Sequence, residues 1–186
     1  MAKRLDQILV IDVESTCWDG PPPKGQISEI IEIGICLVKV ATLERLEKRS
    51  ILVKPQKSEI SAYCTNLTTL TPEMFTTADR FKEAALILKA AYHSKERLWA
   101  SWGDYDRRQF ERNCREYGVG YPFGPTHLNV KNLFAVAIGH HHELGLDDAC
   151  EKLDIPLEGT HHRGADDAWN IARVLCVLLK QIRESK

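Results

Sequence analysis

Ile8-Leu9-Val10-Ile11-Asp12-Val13-Glu14-Ser15-Thr16 begins with four apolar residues and then sets two carboxylates two positions apart. A short, unbroken run of branched residues reads as a strand buried on both faces, the kind found in sheets covered by helices on either side. The run predicts a strand that ends at Asp12, with Asp12 and Glu14 projecting from the same side where it runs out. Two carboxylates buried this close are costly to ionise unless something positive neutralises them. A divalent metal does so, and hard oxygen donors suit Mg2+ or Mn2+. The alternative is a turn capped by Asp12 with Glu14 in solvent.

Further strands are predicted at about Glu29 to Val40 and Glu44 to Val53, joined by a short Ala41-Thr42-Leu43 connection that suggests an antiparallel hairpin. Between the first two lies Trp18-Asp19-Gly20-Pro21-Pro22-Pro23-Lys24-Gly25, a loop by composition whose proline run reads as a stiff segment. Thr71-Pro72 reads as a cap with proline at the first helical position, and Thr77 or Asp79 as the opening of the next helix. Phe81, Ala84, Ala85, Leu88 and Ala91 then recur at helical spacing. Arg97 to Trp102 reads as a strand, followed by a helix that ends at Gly118, and His127 to Val130 as a last short strand. Helices are expected from Asn132 and over Leu146 to Leu153. The final helix is marked by the stripe Ile171, Val174, Leu175, Leu178, Leu179 and Ile182. Three strands followed by helix-strand-helix alternation predict one α/β domain with a mixed sheet.

With 186 residues, 44% of them apolar, the chain is long enough for a single domain with a sizeable core. Its 25 basic and 26 acidic side chains give a net charge of -1, which excludes binding driven by bulk attraction to nucleic acid or anionic membrane but leaves room for a local basic patch. No stretch approaches the roughly 20 apolar residues of a spanning helix, and the first residues lack a signal-peptide core. The six cysteines include no C-x-x-C pair. A reduced, cytoplasmic protein without membrane contact is the expectation.

Two more segments carry chemistry. Asp104-Tyr105-Asp106 follows a buried-looking strand, and either aspartate is placed to cap the helix after it. In His161-His162-Arg163-Gly164-Ala165-Asp166-Asp167, His162 precedes Asp167 by five residues, so a loop histidine can lean over a helix-borne carboxylate. His140-His141-His142 is read as a solvated helix end, because consecutive residues point in different directions and do not converge on one ion. Acidic groups at the ends of strands and one helix fit the way open α/β sheets build sites.

Taken in order, these motifs resemble the DEDDh family of 3′-to-5′ exonucleases, which have a ribonuclease-H-like fold. Ile8 to Thr16 resembles the first motif, Tyr105-Asp106-Arg107-Arg108-Gln109-Phe110 the second, and His162 with Asp167 the third; Ser28 to Gly34 is similar to the family's second strand. Val13 departs from the Phe or Thr that often follows the first acid. Glu14-Ser15-Thr16-Cys17, Tyr63-Cys64-Thr65-Asn66-Leu67-Thr68 and Gly164 to Arg173 look most like the branch that trims histone-mRNA ends and small interfering RNA, which includes the sporulation-kinase-pathway inhibitors. The likeness covers about residues 7 to 183 of a single exonuclease domain, 1 to 186. It implies a three-layer fold with a mixed central five-stranded sheet flanked by helices.

For the site, the resemblance implies that Asp12, Glu14, Asp106 and Asp167 hold two divalent cations, Mg2+ or Mn2+, and that His162 is the general base. Tyr105 and Phe110 frame Asp106 as the second-motif acid in preference to Asp104, and Asp166 and His161 rank behind Asp167 and His162. The substrate implied is the 3′ end of a single strand, RNA favoured over DNA, released as nucleoside 5′-monophosphates. A regulatory binding module that keeps the fold without turnover is the reading from another class. Trp18, Tyr63, Cys64 and Leu67 are candidates to stack on or wedge terminal bases. Ser15 and Thr16 are candidates to contact the last nucleotide, where a 2′-hydroxyl separates RNA from DNA. Arg107, Arg108, Arg112 and Arg163 are candidates to meet phosphates.

Overall fold

The computed structural model describes residues 2–185. Its five strands are β1 (Arg4–Ser15), β2 (Ile30–Lys39), β3 (Glu44–Leu52), β4 (Arg97–Ser101) and β5 (His127–Asn129). Its helices are α1 (Ala62–Thr68), α2 (Phe81–Tyr92), α3 (Tyr105–Tyr117), α4 (Val130–Ala137), α5 (Leu146–Lys152) and α6 (Gly164–Glu184), with one 3-10 turn at Pro72–Phe75. The strands form one sheet in the order β3-β2-β1-β4-β5. β1, β2 and β3 pair antiparallel, whereas β4 runs parallel to β1 and β5 parallel to β4. The mixed five-stranded sheet expected from the resemblance is present.

β1 lies in the middle of this sheet, which explains its unbroken apolar run. Alternate residues face opposite layers. Ile8 and Val10 join Ala168, Ile171, Val174, Leu175 and Leu178 of α6 in one core. Leu9, Ile11 and Val13 join Phe81, Ala84 and Leu88 of α2 and Phe110 of α3 in the other. The strand does not end at Asp12; it continues to Ser15, held by pairing with β2 from Gln7↔Lys39 to Ser15↔Ile30. Asp12 and Glu14 therefore share a face because of strand periodicity, and that face is the one covered by α6. The register shifts between Glu14 and Ser15, and this irregularity bends the strand end beside the acids.

Several boundaries differ from those the sequence predicts. α1 has no apolar periodicity to announce it, and Ser61 caps it by accepting the Cys64 N–H at 3.0 Å. α2 begins after Arg80 with no side-chain cap; the Asp79 backbone instead accepts the Lys54 N–H at 2.7 Å beside a bridge to Val53. The last strand stops at Asn129, whose side chain caps α4 through the Asn132 N–H at 2.9 Å. β3, an edge strand, carries Glu44, Arg45, Glu47, Lys48 and Arg49, a density of charge that discourages pairing with another chain.

The contact that places α6 is backbone against backbone. Gly34, paired with Asp12 across β1 and β2, lies directly beneath the first residue of α6, and a Cβ at Gly34 would overlap the Gly164 carbonyl. A Cβ at Gly164 would in turn come within 3.2 Å of the Asp12 carbonyl oxygen. Glu32, fully buried, closes the joint: its carboxylate accepts the Gly164 N–H at 2.9 Å, the Ser50 hydroxyl at 2.5 Å and the Arg163 guanidinium at 3.2 and 3.3 Å. Gly34→Ala should lower stability by about 1–3 kcal/mol, the usual range for overpacking. The expected result is a lower urea midpoint with an unchanged slope.

Candidate active site

The joint between α6 and the sheet puts four acids around one cleft of about 280 Å3. Asp12 and Glu14 come from the α6 face of β1, Asp167 from the first turn of α6, and Asp106 from the first turn of α3. One oxygen of each of Asp12, Glu14 and Asp167 lies within 4.8 Å of the others. Asp106 is not part of that close group; the β1–β4 pairing ends at Val10↔Ala100 and leaves the β1 backbone beyond it unpaired on that side. The Asp106 Oδ1 accepts the freed Val13 N–H at 2.9 Å.

Asp104 lies outside this cleft. It is half-buried and pairs with Arg107 at 3.3 Å. Asp166 also points away, accepting the Thr160 N–H at 2.8 Å and pairing with Lys48.

The electrostatics follow from this crowding. Burial, followed by the charges of Asp106, Glu14, Asp167 and Glu32, raises the Asp12 pKa well above the usual carboxylate range. Burial and the neighbouring Asp167, Glu32 and Asp106 push Glu14 up to about 8. Asp106 rises to about 7, chiefly through burial, against the opposing hydrogen bond from Val13. Asp167 is raised by burial and drawn back by the hydrogen bond from His161. Hard oxygen donors that cannot all ionise unaided form a donor set suited to divalent cations of the Mg2+ or Mn2+ kind.

Two histidines share the rim. The His161 Nδ1 lies 3.0 Å from Asp167 Oδ1, and the His162 backbone N–H donates to Asp167 Oδ2 at 2.9 Å. Their rings stack with centroids 4.1 Å apart. His162 is held at φ +62°, a left-handed conformation uncommon outside glycine. Burial and the adjacent His161 hold its pKa below the ordinary histidine value.

The substrate-contact candidates divide. Ser15 and Leu67 line the cleft, and the buried Ser15 hydroxyl has no hydrogen-bond partner. Cys64 does not reach it; it is completely buried behind Ser15, where its thiol contacts the Ser15 carbonyl at 3.7 Å. Thr16 is likewise occupied, since its hydroxyl donates to the Ile27 carbonyl and accepts the Glu29 N–H. Arg163 is anchored on Glu32, and Arg107 lies against Asp104 and Glu111. Tyr63 is exposed outside the cleft lining, and Trp18 lines a separate groove with Pro22, Asn113 and Arg112.

Cys17, Trp102, Tyr105, Leu146 and His161 line the cleft without having been singled out as substrate contacts. The sequence carried a signal for Tyr105, named as the frame of Asp106, for His161, ranked behind His162, and for Cys17, at the end of a branch-like motif, but none for Trp102 or Leu146. His140, His141 and His142 are exposed in the turn after α4.

An exonuclease family model, RNase_T, matches residues 9–175. The chain belongs to this exonuclease family. It is 29% identical over 188 residues to the human protein "3′-5′ exoribonuclease 1", covering 94% of this chain and 53% of that one. The chain thus spans about half the length of that relative. It is 30% identical over 169 residues to "Probable 3′-5′ exonuclease KapD" of Bacillus subtilis (strain 168), covering 88% of this chain and 80% of that one. Among solved structures, the nuclease domain of 3′hExo, a DEDDh family member bound to rAMP, superposes with a TM-score of 0.84 at 26% identity, covering 97% of this chain and 95% of that one. The DEDDh resemblance and the ribonuclease-H-like fold both stand. No helix among the described residues of this exonuclease domain is long and apolar enough to cross a membrane.

The raised carboxylates give metal-free stability a definite pH dependence. The unfolded chain loses the Glu14 and Asp106 protons near the ordinary carboxylate values of 4.5 and 3.8, whereas the fold keeps them to about 8 and about 7. Stability is therefore full below about pH 4 from these groups and falls as pH rises towards 8. Thermal melts in a chelator should show this decline. Mn2+ at a hundredfold excess over its Kd should add about 2.7 kcal/mol, roughly 5–10 °C for this length, with the largest gain at pH 8. Asp12→Asn should raise the chelated midpoint at pH 8 and remove most of the metal-induced gain.

Proposed function

We propose that this chain is a metal-dependent 3′-to-5′ exonuclease that removes nucleoside 5′-monophosphates from single-stranded RNA ends. The observation that carries the reading is the convergence of Asp12, Glu14 and Asp167 within 4.8 Å, with Asp106, His161 and His162 on the same cleft. Two divalent ions held by these carboxylates would supply water activation and stabilisation of the leaving 3′-oxygen. The protein's own part is to position and to move protons. β1 and α6 fix the carboxylates, and Glu32 fixes the start of α6 through Gly164 and Arg163.

His162 is the general base in this reading. It lies on the cleft rim beside Asp167, and a ring that is neutral near neutral pH is free to accept the proton of the attacking water. His161, hydrogen-bonded to Asp167, steadies that carboxylate and stacks on His162. The orphaned Ser15 hydroxyl is placed to meet the terminal nucleotide. RNA is favoured over DNA because the similar human protein is named an exoribonuclease and the similar solved nuclease domain holds rAMP.

The test uses 5′-labelled RNA and DNA of one sequence with Mg2+ or Mn2+. Wild type should give a ladder that shortens from the 3′ end, faster on RNA, and Asp12→Asn should give none. His162→Ala should slow the single-turnover rate by about 10²- to 10⁴-fold, the usual range for general acid-base help, while sparing the metal-induced thermal shift. Full activity of His162→Ala across pH would remove His162 from this role. Binding of strand and metal without cleavage would favour a regulatory module.

A further inference from the structure

A second and larger cleft, about 740 Å3, opens beside the acidic one, and Trp102 and Tyr105 line both. One wall is the outer face of α3. Asp106, Gln109, Phe110 and Asn113 turn inward, and polar bonds hold that side. The Gln109 and Asn113 amides donate to the Ser28 carbonyl, and the Asn113 Oδ1 accepts the Ile30 N–H. Helical spacing then sends Tyr105, Arg108, Arg112 and Arg115 outward along one stripe, about 15 Å long from first to last. All four are exposed. The opposite wall carries Asn129 and Lys131 from the start of α4.

The charges of this cleft are not balanced as those of the whole chain are. Its carboxylates are engaged: Asp104 and Glu111 pair with Arg107 at 3.3 and 3.8 Å, and Glu143 pairs with Lys131 at 3.4 Å. Among the described residues, Arg108, Arg112 and Arg115 have no carboxylate partner. Arg112 also lies 6.0 Å from the centre of the Tyr105 ring. Arg115 donates only to the Glu111 backbone carbonyl, at 3.4 Å, and a row of guanidinium groups without carboxylate partners, leading from a half-exposed aromatic ring, suits an alternation of phosphates and bases.

We propose that this cleft binds the nucleotides on the 5′ side of the scissile phosphate. Arg108, Arg112 and Arg115 meet successive backbone phosphates, and Tyr105, with the edge of Trp102, stacks on a base at the junction of the two clefts. The proposal rests on the exonuclease reading, whose acidic cleft takes the 3′ terminus. It gives the strand a polarity on the surface, with the 5′ body running outward along α3.

The test compares wild type with the triple variant Arg108→Ala/Arg112→Ala/Arg115→Ala on two substrates. One is a dinucleotide and the other a strand of about ten nucleotides, within the usual site sizes of single-strand binders. The expected result is that kcat/KM on the long strand falls about tenfold or more beyond any fall on the dinucleotide. The salt dependence of long-strand binding, read by fluorescence anisotropy, should lose about 2 in slope, because each phosphate contact on a single strand contributes about 0.7. The corresponding triple lysine variant should recover most of the affinity. An unchanged ratio of long to short substrate, or an equal fall on both, overturns the proposal. If wild type shortens neither substrate, the exonuclease reading fails. The cleft is then judged by anisotropy alone, where equal affinity of wild type and the triple alanine variant overturns it and weaker binding by the variant supports it.

Discussion

The close approach of α6 to the sheet at Gly34 and Gly164 is the constraint on which the site depends. No other residue pair would allow the helix backbone to rest on β2 at this depth, and only at this depth does Asp167 reach the carboxylates of Asp12 and Glu14. Glu32 makes the position definite in direction as well as distance. It accepts from Gly164, Arg163 and Ser50 together, so the first turn of α6 is tied to both β2 and β3. Arg163, which offers itself in the sequence as a phosphate contact, is consumed by this joint. A fully buried carboxylate is stabilised by a hydrogen-bonded cation, and Arg163 is the one paired with Glu32.

That joint forces an electrostatic conflict, since it brings Asp167 onto Asp12 and Glu14, with Asp106 of α3 on the same cleft and Glu32 beside them. The conflict is informative about chemistry. Carboxylates raised by burial and like charges together, and grouped in a cleft, are the pattern in which functional sites are enriched. The rest of the fold tolerates it because the two apolar cores on either side of β1 are extensive and contiguous. Two backbone irregularities border the same cleft: His162 stands in a left-handed conformation between the cleft and the start of α6, and the register of β1 shifts beside Glu14.

In its proposed role, the basic stripe of α3 would reconcile a net charge of -1 with nucleic acid as a partner. The inner side of the helix is fixed by Asp106, Gln109 and Asn113, and its outer side is thereby left to arginine. Positive charge is thus concentrated along one short path adjoining the acids. Attraction of that kind guides a strand end without making the whole surface adhesive.

Much of this was legible in the sequence because it depends on local rules. The apolar run before Asp12 specified a central strand, period two put Asp12 and Glu14 on one face, and the stripe from Ile171 to Ile182 specified the last helix. The spacing of His162 and Asp167 placed a histidine near a carboxylate, although it did not show that His161 makes the hydrogen bond. Burial of the side chains around the site was not legible, because it depends on what other segments place against them. Cys64 and Thr16 look accessible in a motif but are enclosed by the unannounced α1 and by the loop to β2, whereas Trp102 and Tyr105 emerge at a junction of two clefts walled by segments far apart in the chain. The sequence by itself determined the sheet's central strand, the acids on it and the helix that covers it. Only the tertiary structure decided which carboxylates meet, which arginines stay free and which cysteine disappears, because those outcomes depend on distances between residues far apart in the chain.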